Sequence, residues 1–362
     1  VPYIKILNKF FNVFVFNLEK KNNLSKIKEI KTQFKDLNIN FFFLYFSNRK
    51  LFRIIYVIFD FIKISIKLIF FLKKNNIKII HARGHMPSFV CYFISFFYSI
   101  NFVFDFRGLW AEERIDSGSI NINSLYGKFI FKFLKYLEIK KINKSFALIV
   151  LTENFKNNVL ENNLIQNKNV FVMPCYVEIS KFNKIISNTN INIFNELKIP
   201  KNSKIITYLG SLGGIYLIDE MLEFFKYYYE FDQNTYFLII TNHHKIIFNK
   251  IEKYIPHYIR QNILIKKLEH NEVPIYLSQS NFSLFFLKNS KARIAGCPIK
   301  FTESLSLGVP VICNKYIGDL DTYFNEFKIG INIDINNKKD FIKILTNFNY
   351  LDKQFRENIK TY

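Results

Sequence analysis

Short apolar blocks alternate with longer runs of helical spacing along nearly the whole chain. In the first half the blocks are "VFVFNL", "NFFFLYF", "IKIIHA", "FVFDF", "ALIVLT" and "VFVMP". They are almost continuously apolar, which suits parallel strands covered on both faces. Helical segments separate them, among them "SLYGKFIFKFLKYLEIKKINKS" with apolar residues at helical spacing. The polar, Asn-rich stretch from Glu178 to Ser203 reads as an interdomain linker with a short helix. The alternation then restarts with strands "KIITYLG", "TYFLIIT", "NILIKKL", "FSLFFL", "VPVICN" and "IGINID". Helices are expected near Tyr216–Phe231, His244–Ile255, Val273–Gln279, Ile299–Leu307 and Lys338–Asn347. The pattern predicts an α/β chain of two Rossmann-like, doubly wound domains facing a central cleft. They are placed at residues 1–182 and 183–362, with a terminal helix expected to cross back. "VPYIKILNKF" already reads as a first helix, so the opening strand of the first domain is expected to be missing.

A chain of 362 residues with 49% hydrophobic positions supports two folded domains rather than disorder. The 43 Phe residues, with abundant Lys, Asn and Ile, read as AT-rich coding bias more than as function. A net charge of +22 leaves three classes of partner open: nucleic acid, an anionic membrane surface, or an anionic small substrate. The charge is spread evenly and no RRM, KH, helix-turn-helix or zinc-finger pattern occurs, which argues against nucleic acid. Cys91, Cys175, Cys297 and Cys313 form no C-x-x-C pair and no framework, so a reduced, cytoplasmic setting is expected. No secretory signal is seen, and a start at Val1 suggests that the true N-terminus is missing. The most membrane-like stretch, Phe52 to Lys74, is interrupted by Arg53, Asp60, Lys63 and Lys67, which argues against a span. It fits a core helix, or an interfacial helix with Lys63, Lys67, Lys73 and Lys74 facing anionic lipid.

Three segments carry candidate chemistry. In "YLGSLGGIYLIDEMLEFF" a strand runs into Gly210, Ser211, Leu212, Gly213 and Gly214 before an amphipathic helix. Such a turn lets backbone approach a phosphate at a helix N-terminus, and it equally serves as a plain tight βα turn. In "PIKFTESLSLGVPVICNK", Pro298 suits a helix start and Gly308 a helix end. Glu303 between them fits either a solvated surface carboxylate or an acceptor for two ribose hydroxyls. "FDFRGLWAEER" places Asp105, Arg107, Glu112, Glu113 and Arg114 after a strand end, where open α/β sheets bind ligands. Asp105 or Glu113 would orient or deprotonate an acceptor hydroxyl, unless the segment is a salt-bridged loop. His81 and His85 span a strand end and a loop, not one helix face, which discounts a metal pair. Arg83 between them is a candidate phosphate or acceptor contact. His243-His244 reads as a helix start, and "DLD" at Asp319–Asp321 as a loop.

In combination these segments resemble GT-B glycosyltransferases, particularly glycosyltransferase family 4. The order "YLGSLGG", "PIKFTESLSLGVPVICN", "IGDLD" is similar to that family's donor-binding domain. "VLTENFKNNVL" followed by "VFVMPCYVEISKF" is similar to the segment ending its first domain. "IIHARGHMPSFVCYFIS" and "FVFDFRGLWAEER" resemble its bacterial envelope-polysaccharide branch. The resemblance spans essentially the whole chain. It implies a nucleotide-sugar donor in the C-terminal domain, with Glu303 on the ribose. The Gly210–Gly214 turn and the helix start at Lys300, Phe301 and Thr302 would take the diphosphate. It also implies retention of anomeric configuration, with no cofactor and no bound metal. Two departures stand out. A family Glu eight residues before Glu303 is here Ala295, and the family's basic pair after the Gly turn is here Ile215 and Tyr216. Positive charge for the leaving diphosphate must come from elsewhere, and Lys291, Arg293, Lys300 and Arg107 are the candidates.

The expected activity is transfer of a sugar to a lipid-linked or growing envelope glycan at the inner face of the plasma membrane. A UDP-sugar 2-epimerase of the same fold, and a non-catalytic nucleotide-sugar or glycan-binding protein, are the alternatives.

Overall fold

The computed structural model describes residues 2–20, 39–46, 53–162 and 169–337, with 341, 356 and 359. The helix expected at Lys338–Asn347 lies, apart from Phe341, outside the described residues.

The chain begins with α1 (Pro2–Leu7), β1 (Phe14–Lys20), β2 (Asn40–Phe46) and α2 (Arg53–Lys74). Next come β3 (Ile79–Arg83), α3 (His85–Ile94), β4 (Asn101–Asp105), α4 (Trp110–Asp116) and α5 (Leu125–Lys144). β5 (Ala147–Val150), α6 (Glu153–Glu161), β6 (Asn169–Val172), α7 (Ile179–Ser187) and α8 (Ile193–Leu197) follow. The second half opens with β7 (Lys204–Leu209), α9 (Ile218–Phe231), β8 (Thr235–Ile240), α10 (His244–Tyr254) and α11 (His257–Arg260). It ends with β9 (Ile263–Lys266), α12 (Val273–Ser278), β10 (Phe282–Phe285), a 3-10 turn (Lys291–Ala295), α13 (Ile299–Ser306), β11 (Val311–Asn314), α14 (Leu320–Glu326) and β12 (Gly330–Ile333).

Two compact units result. The first comprises Val1–Phe106, Leu137–Ile149 and Leu164–Val170, and the second Arg107–Tyr136, Val150–Asn163 and Phe171–Tyr362. In the first unit β1 and β2 pair in parallel as a separate two-stranded sheet. A parallel four-stranded sheet runs β3-β4-β5-β6. α2 packs Ile64, Leu68 and Leu72 against Val90 and Ile94 of α3. Its other side leaves Ile58, Phe59, Ile62, Ile66 and Phe70 exposed. α2 is therefore a core helix on one face and apolar on its outer face. No helix among the described residues is long and apolar enough to cross a membrane.

The second unit holds one parallel six-stranded sheet in the order β12-β11-β10-β7-β8-β9. That is the doubly wound order, with the direction of winding reversing between β7 and β10. Val, Ile and Phe supply fully buried strands: β10 and β11 are buried at every residue. α9 turns Met221, Leu222, Phe224, Phe225 and Tyr228 onto this sheet, beside Phe237, Ile239 and Phe285. Each such side chain contributes about 1.5–3 kcal/mol on burial.

The stretch expected as a linker with one short helix holds two helices, α7 and α8, both packed into the core. Ile193 and Leu197 of α8 join a core with Ile205, Leu238 and Ile240, and Phe182 of α7 packs on Leu277, Leu307 and Val309. The Asn and Lys residues between them hide an apolar spacing of three to four residues, which is why the stretch reads as polar.

Candidate active site

The reversal point between β7 and β10 is where an open α/β sheet forms its crevice, and the glycine turn leaves β7 there. Gly210 still donates its N–H to Ile240 O at 2.9 Å. Gly213 and Gly214 take positive φ, 87° and 66°, with open space where a side chain would be. The helix does not start directly after the turn. Tyr216 bridges to Leu287, Lys288 N–H bonds Ile215 O at 2.8 Å, and Leu217 N–H bonds Phe286 O at 3.0 Å. α9 begins only at Ile218, with Asp219 and Glu220 in its first turn. Ser211 is exposed and Leu212 is buried in the core.

Lys300 enters this turn from α13. A side chain on Gly210 (φ 140°) would collide with the Lys300 Nζ and Cε atoms, so glycine there is what admits the lysine. The ammonium donates to Tyr208 Oη at 3.4 Å and sits 3.4 Å from the Tyr216 ring centroid and 4.5 Å from that of Tyr208. Both contacts have cation–π character. Burial pushes the Lys300 pKa down to about 7, partly opposed by Glu303. Tyr208 in turn donates to Ser211 O at 2.5 Å and so ties down the glycine turn.

Glu303 lies one turn further along α13, half-buried, and its carboxylate has no hydrogen-bond partner among the described residues. Burial pushes its pKa up, against the pull of His270 and Lys300. Phe301 turns inward, stacked on Tyr323 and tilted against Phe324, so only its backbone faces a ligand role. Thr302 donates its hydroxyl to Cys175 O at 3.2 Å. Lys291 is exposed.

Arg293 is buried in the 3-10 turn after β10. Its Nη2 meets Asp116 Oδ2 at 3.3 Å, and Ser290 Oγ donates to the same oxygen at 2.5 Å. Its Nε is buried with no hydrogen-bond partner among the described residues. The guanidinium acts electrostatically on both Tyr216 and Glu113. Glu113 packs over Gly108 and is half-buried. Burial raises its pKa, Arg293 opposes this, and Asp116 and Glu112 add to it. Arg107 is half-buried and acts on the Cys297 thiol. So the turn, Lys300, Glu303, Arg293, Arg107 and Glu113 all belong to the second unit.

Asp105 belongs to the first unit. It is fully buried at the end of β4, accepts from His81 Nε2 at 3.1 Å and has Arg83 Nε at 4.0 Å. His81 Nδ1 faces Tyr3 Oη at 2.9 Å. Asp319 accepts from Glu153 N–H at 2.6 Å and Asn154 N–H at 2.9 Å, capping α6. Asp321 accepts from Tyr316 N–H and Asn332 Nδ2. The "DLD" segment, expected as a loop, is instead the N-cap and first turn of α14, and its carboxylates tie that helix start to neighbouring backbone and to Asn332.

Sequence reasoning passed over Tyr208, Tyr216, His270, Asp116 and the Cys175–Cys297 contact. Cys175 N–H points at Cys297 Sγ at 3.3 Å. The two tyrosines flank the glycine turn in "YLGSLGGIY", an aromatic bracket legible in the sequence. Asp116 and His270 carry no local signal.

Residues 189–362 match the model of the family described as Glycosyl transferases group 1. No curated protein matches the chain in sequence. Among solved structures, a glycosyltransferase from Rickettsia africae ESF-5 is similar, with TM-score 0.67 and 17% identity over 99% of this chain and 86% of that one. So is E. coli trehalose-6-phosphate protein bound with UDP-2-fluoro glucose, with TM-score 0.66 and 12% identity over 99% and 90%. A UDP-N-acetylglucosamine 2-epimerase has TM-score 0.57 and 12% identity over 99% and 85%. At such identities the likeness shows the fold, two Rossmann-like domains of GT-B type.

Proposed function

We propose that this glycosyltransferase, GT-B in fold and matched by the group 1 family over residues 189–362, moves a sugar with retention of configuration from a nucleotide-diphosphate donor. The acceptor is a lipid-linked or growing envelope glycan, in the manner of family 4. The observation that carries the reading is Lys300, whose ammonium lies over Gly210 inside a tyrosine bracket at the crevice of a doubly wound sheet.

In this reading the donor diphosphate lies along Gly210–Gly214, with backbone N–H groups and the Lys300 ammonium toward it. Glu303, half-buried and unpartnered among the described residues, accepts hydrogen bonds from two ribose hydroxyls. When the glycosidic bond to the leaving phosphate breaks, negative charge grows on the diphosphate. Lys300 stabilises it directly, and the buried Arg293 guanidinium, paired with Asp116, adds its field from the turn after β10. These two cations stand in for the family's missing basic pair in a metal-independent reaction; Arg107 is held as a further contributor. Glu113 is the candidate for the acceptor hydroxyl, since its raised pKa suits a group that takes and returns a proton. Asp105, buried against His81, serves as a positioning residue. The net charge of +22 and the apolar, lysine-bearing outer face of α2 fit an acceptor presented at the cytoplasmic surface of the membrane.

Incubation with UDP- and GDP-sugars and a lipid-linked glycan acceptor, followed by NMR of the products, tests this. The expected product is a new glycoside with the donor's anomeric configuration. Inversion would refute retention, an epimerised UDP-sugar formed without acceptor would mean an epimerase, and nucleotide binding without turnover would mean a binding protein.

A further inference from the structure

The long helix α5 shows apolar residues at helical spacing in sequence, yet much of its apolar surface is outside. Leu125, Tyr126, Phe129, Phe133 and Tyr136 are between 51% and 85% exposed. Their spacing of three and four residues puts them on one stripe. Phe129 and Phe133 stack in parallel at 6.5 Å, so the stripe is a continuous aromatic surface. Lys128 and Lys132 flank it, exposed and without a partner among the described residues. Two other lysines of the helix are used differently: Lys135 pairs with Glu112 at 2.9 Å, and Lys141 is buried with its Nζ 3.1 Å from His85 Nδ1. Glu138, the one acidic residue of the helix, is buried.

We propose that this α5 face is a docking surface for an anionic lipid bilayer. The proposal deepens, and rests on, the reading of a membrane-presented acceptor. Charge complementarity selects the occupant. A second copy laid on this face would bring Lys128 and Lys132 against lysines, with no exposed carboxylate on α5 to receive them. Anionic headgroups receive both ammonium groups, while Phe and Tyr rings enter the headgroup–acyl boundary as they do in interfacial helices. The stripe is too short and too strongly flanked by lysine to span, so the helix lies in the plane of the surface.

Sedimentation of the full chain with vesicles tests this, using phosphatidylcholine alone and phosphatidylcholine mixed with phosphatidylglycerol. The wild type is expected to partition onto the anionic vesicles alone, and less at high salt. Phe129→Ser/Phe133→Ser and Lys128→Glu/Lys132→Glu should each reduce that partition at least tenfold while keeping the thermal unfolding profile and nucleotide affinity of the wild type. A Phe59→Ser/Phe70→Ser variant of α2 provides the comparison. The proposal is overturned if both α5 variants partition as the wild type does, wherever the α2 variant falls. It is overturned equally if the wild type ignores lipid charge, or if light scattering shows a dimer that Phe129→Ser/Phe133→Ser dissociates. Absence of nucleotide binding would instead defeat the donor reading and leave the vesicle result standing.

Discussion

At the scale of single residues, Glu303 and Lys300 carry the donor site. Replacing Glu303 by Ala removes charge-assisted hydrogen bonds to the ribose, worth roughly 1.5–3 kcal/mol. Nucleotide affinity, read by calorimetry, should fall about ten- to a hundredfold, with little change in unfolding temperature because the carboxylate holds no protein group. Lys300 gives a pH signature. Its pKa of about 7 lies below the ordinary 10.5 because of burial. Between those values the unfolded chain binds the proton more readily, so this group's contribution to stability rises with pH from about 7 and is lost as pH falls toward it. A bound diphosphate reverses the burial effect and recharges the lysine. Titration with UDP or GDP near pH 8, in buffers of different ionisation enthalpy, should show proton uptake that Lys300→Met abolishes. Proton release, or uptake unchanged in the variant, would move the diphosphate away from Lys300. Glu303, Lys300 and the glycines were legible because they sit in short ordered motifs. Asp116, which holds Arg293, was not: the two are far apart in sequence and meet only through the fold. Tyr216 filled a place that looked merely deficient in charge, and its ring supports the cation that the motif lacks.

At the scale of elements, two contacts are exposed to test. Gly210 is required both by its φ of 140° and by the Lys300 side chain above it. Gly210→Ala should destabilise the protein by roughly 1–3 kcal/mol and weaken nucleotide binding as Lys300 is displaced, both measurable in one thermal-shift series with and without UDP. Asp319 caps α6 through two amide hydrogen bonds. Asp319→Ala should lower stability by about 1 kcal/mol, seen as a lower denaturant midpoint, while catalysis persists if the carboxylate only holds structure. Every strand expected from apolar blocks is present among the described residues, because parallel strands read as nearly unbroken apolar runs even where, as in β3 and β6, they are only partly buried. Helices were less readable. α7 and α8 hid behind Asn and Lys, and α5 showed helical periodicity without showing which apolar residues stay in water.

At the scale of the whole molecule, the sheet order of the second unit sets a crevice at β7 and β10, and the glycine turn and Lys300 meet there. The excess charge reads differently once placed: one lysine is drawn into the site, others are paired or buried, and those on α5 stay outward beside aromatic rings. The claim on which the rest depends is that this crevice holds a nucleoside diphosphate. Calorimetric titration of the full chain with UDP and with GDP tests it most directly. One of them should bind saturably at one site, and Glu303→Ala should weaken it at least tenfold. Failure of the wild type to bind any nucleoside diphosphate, or undiminished binding by Glu303→Ala, would contradict it.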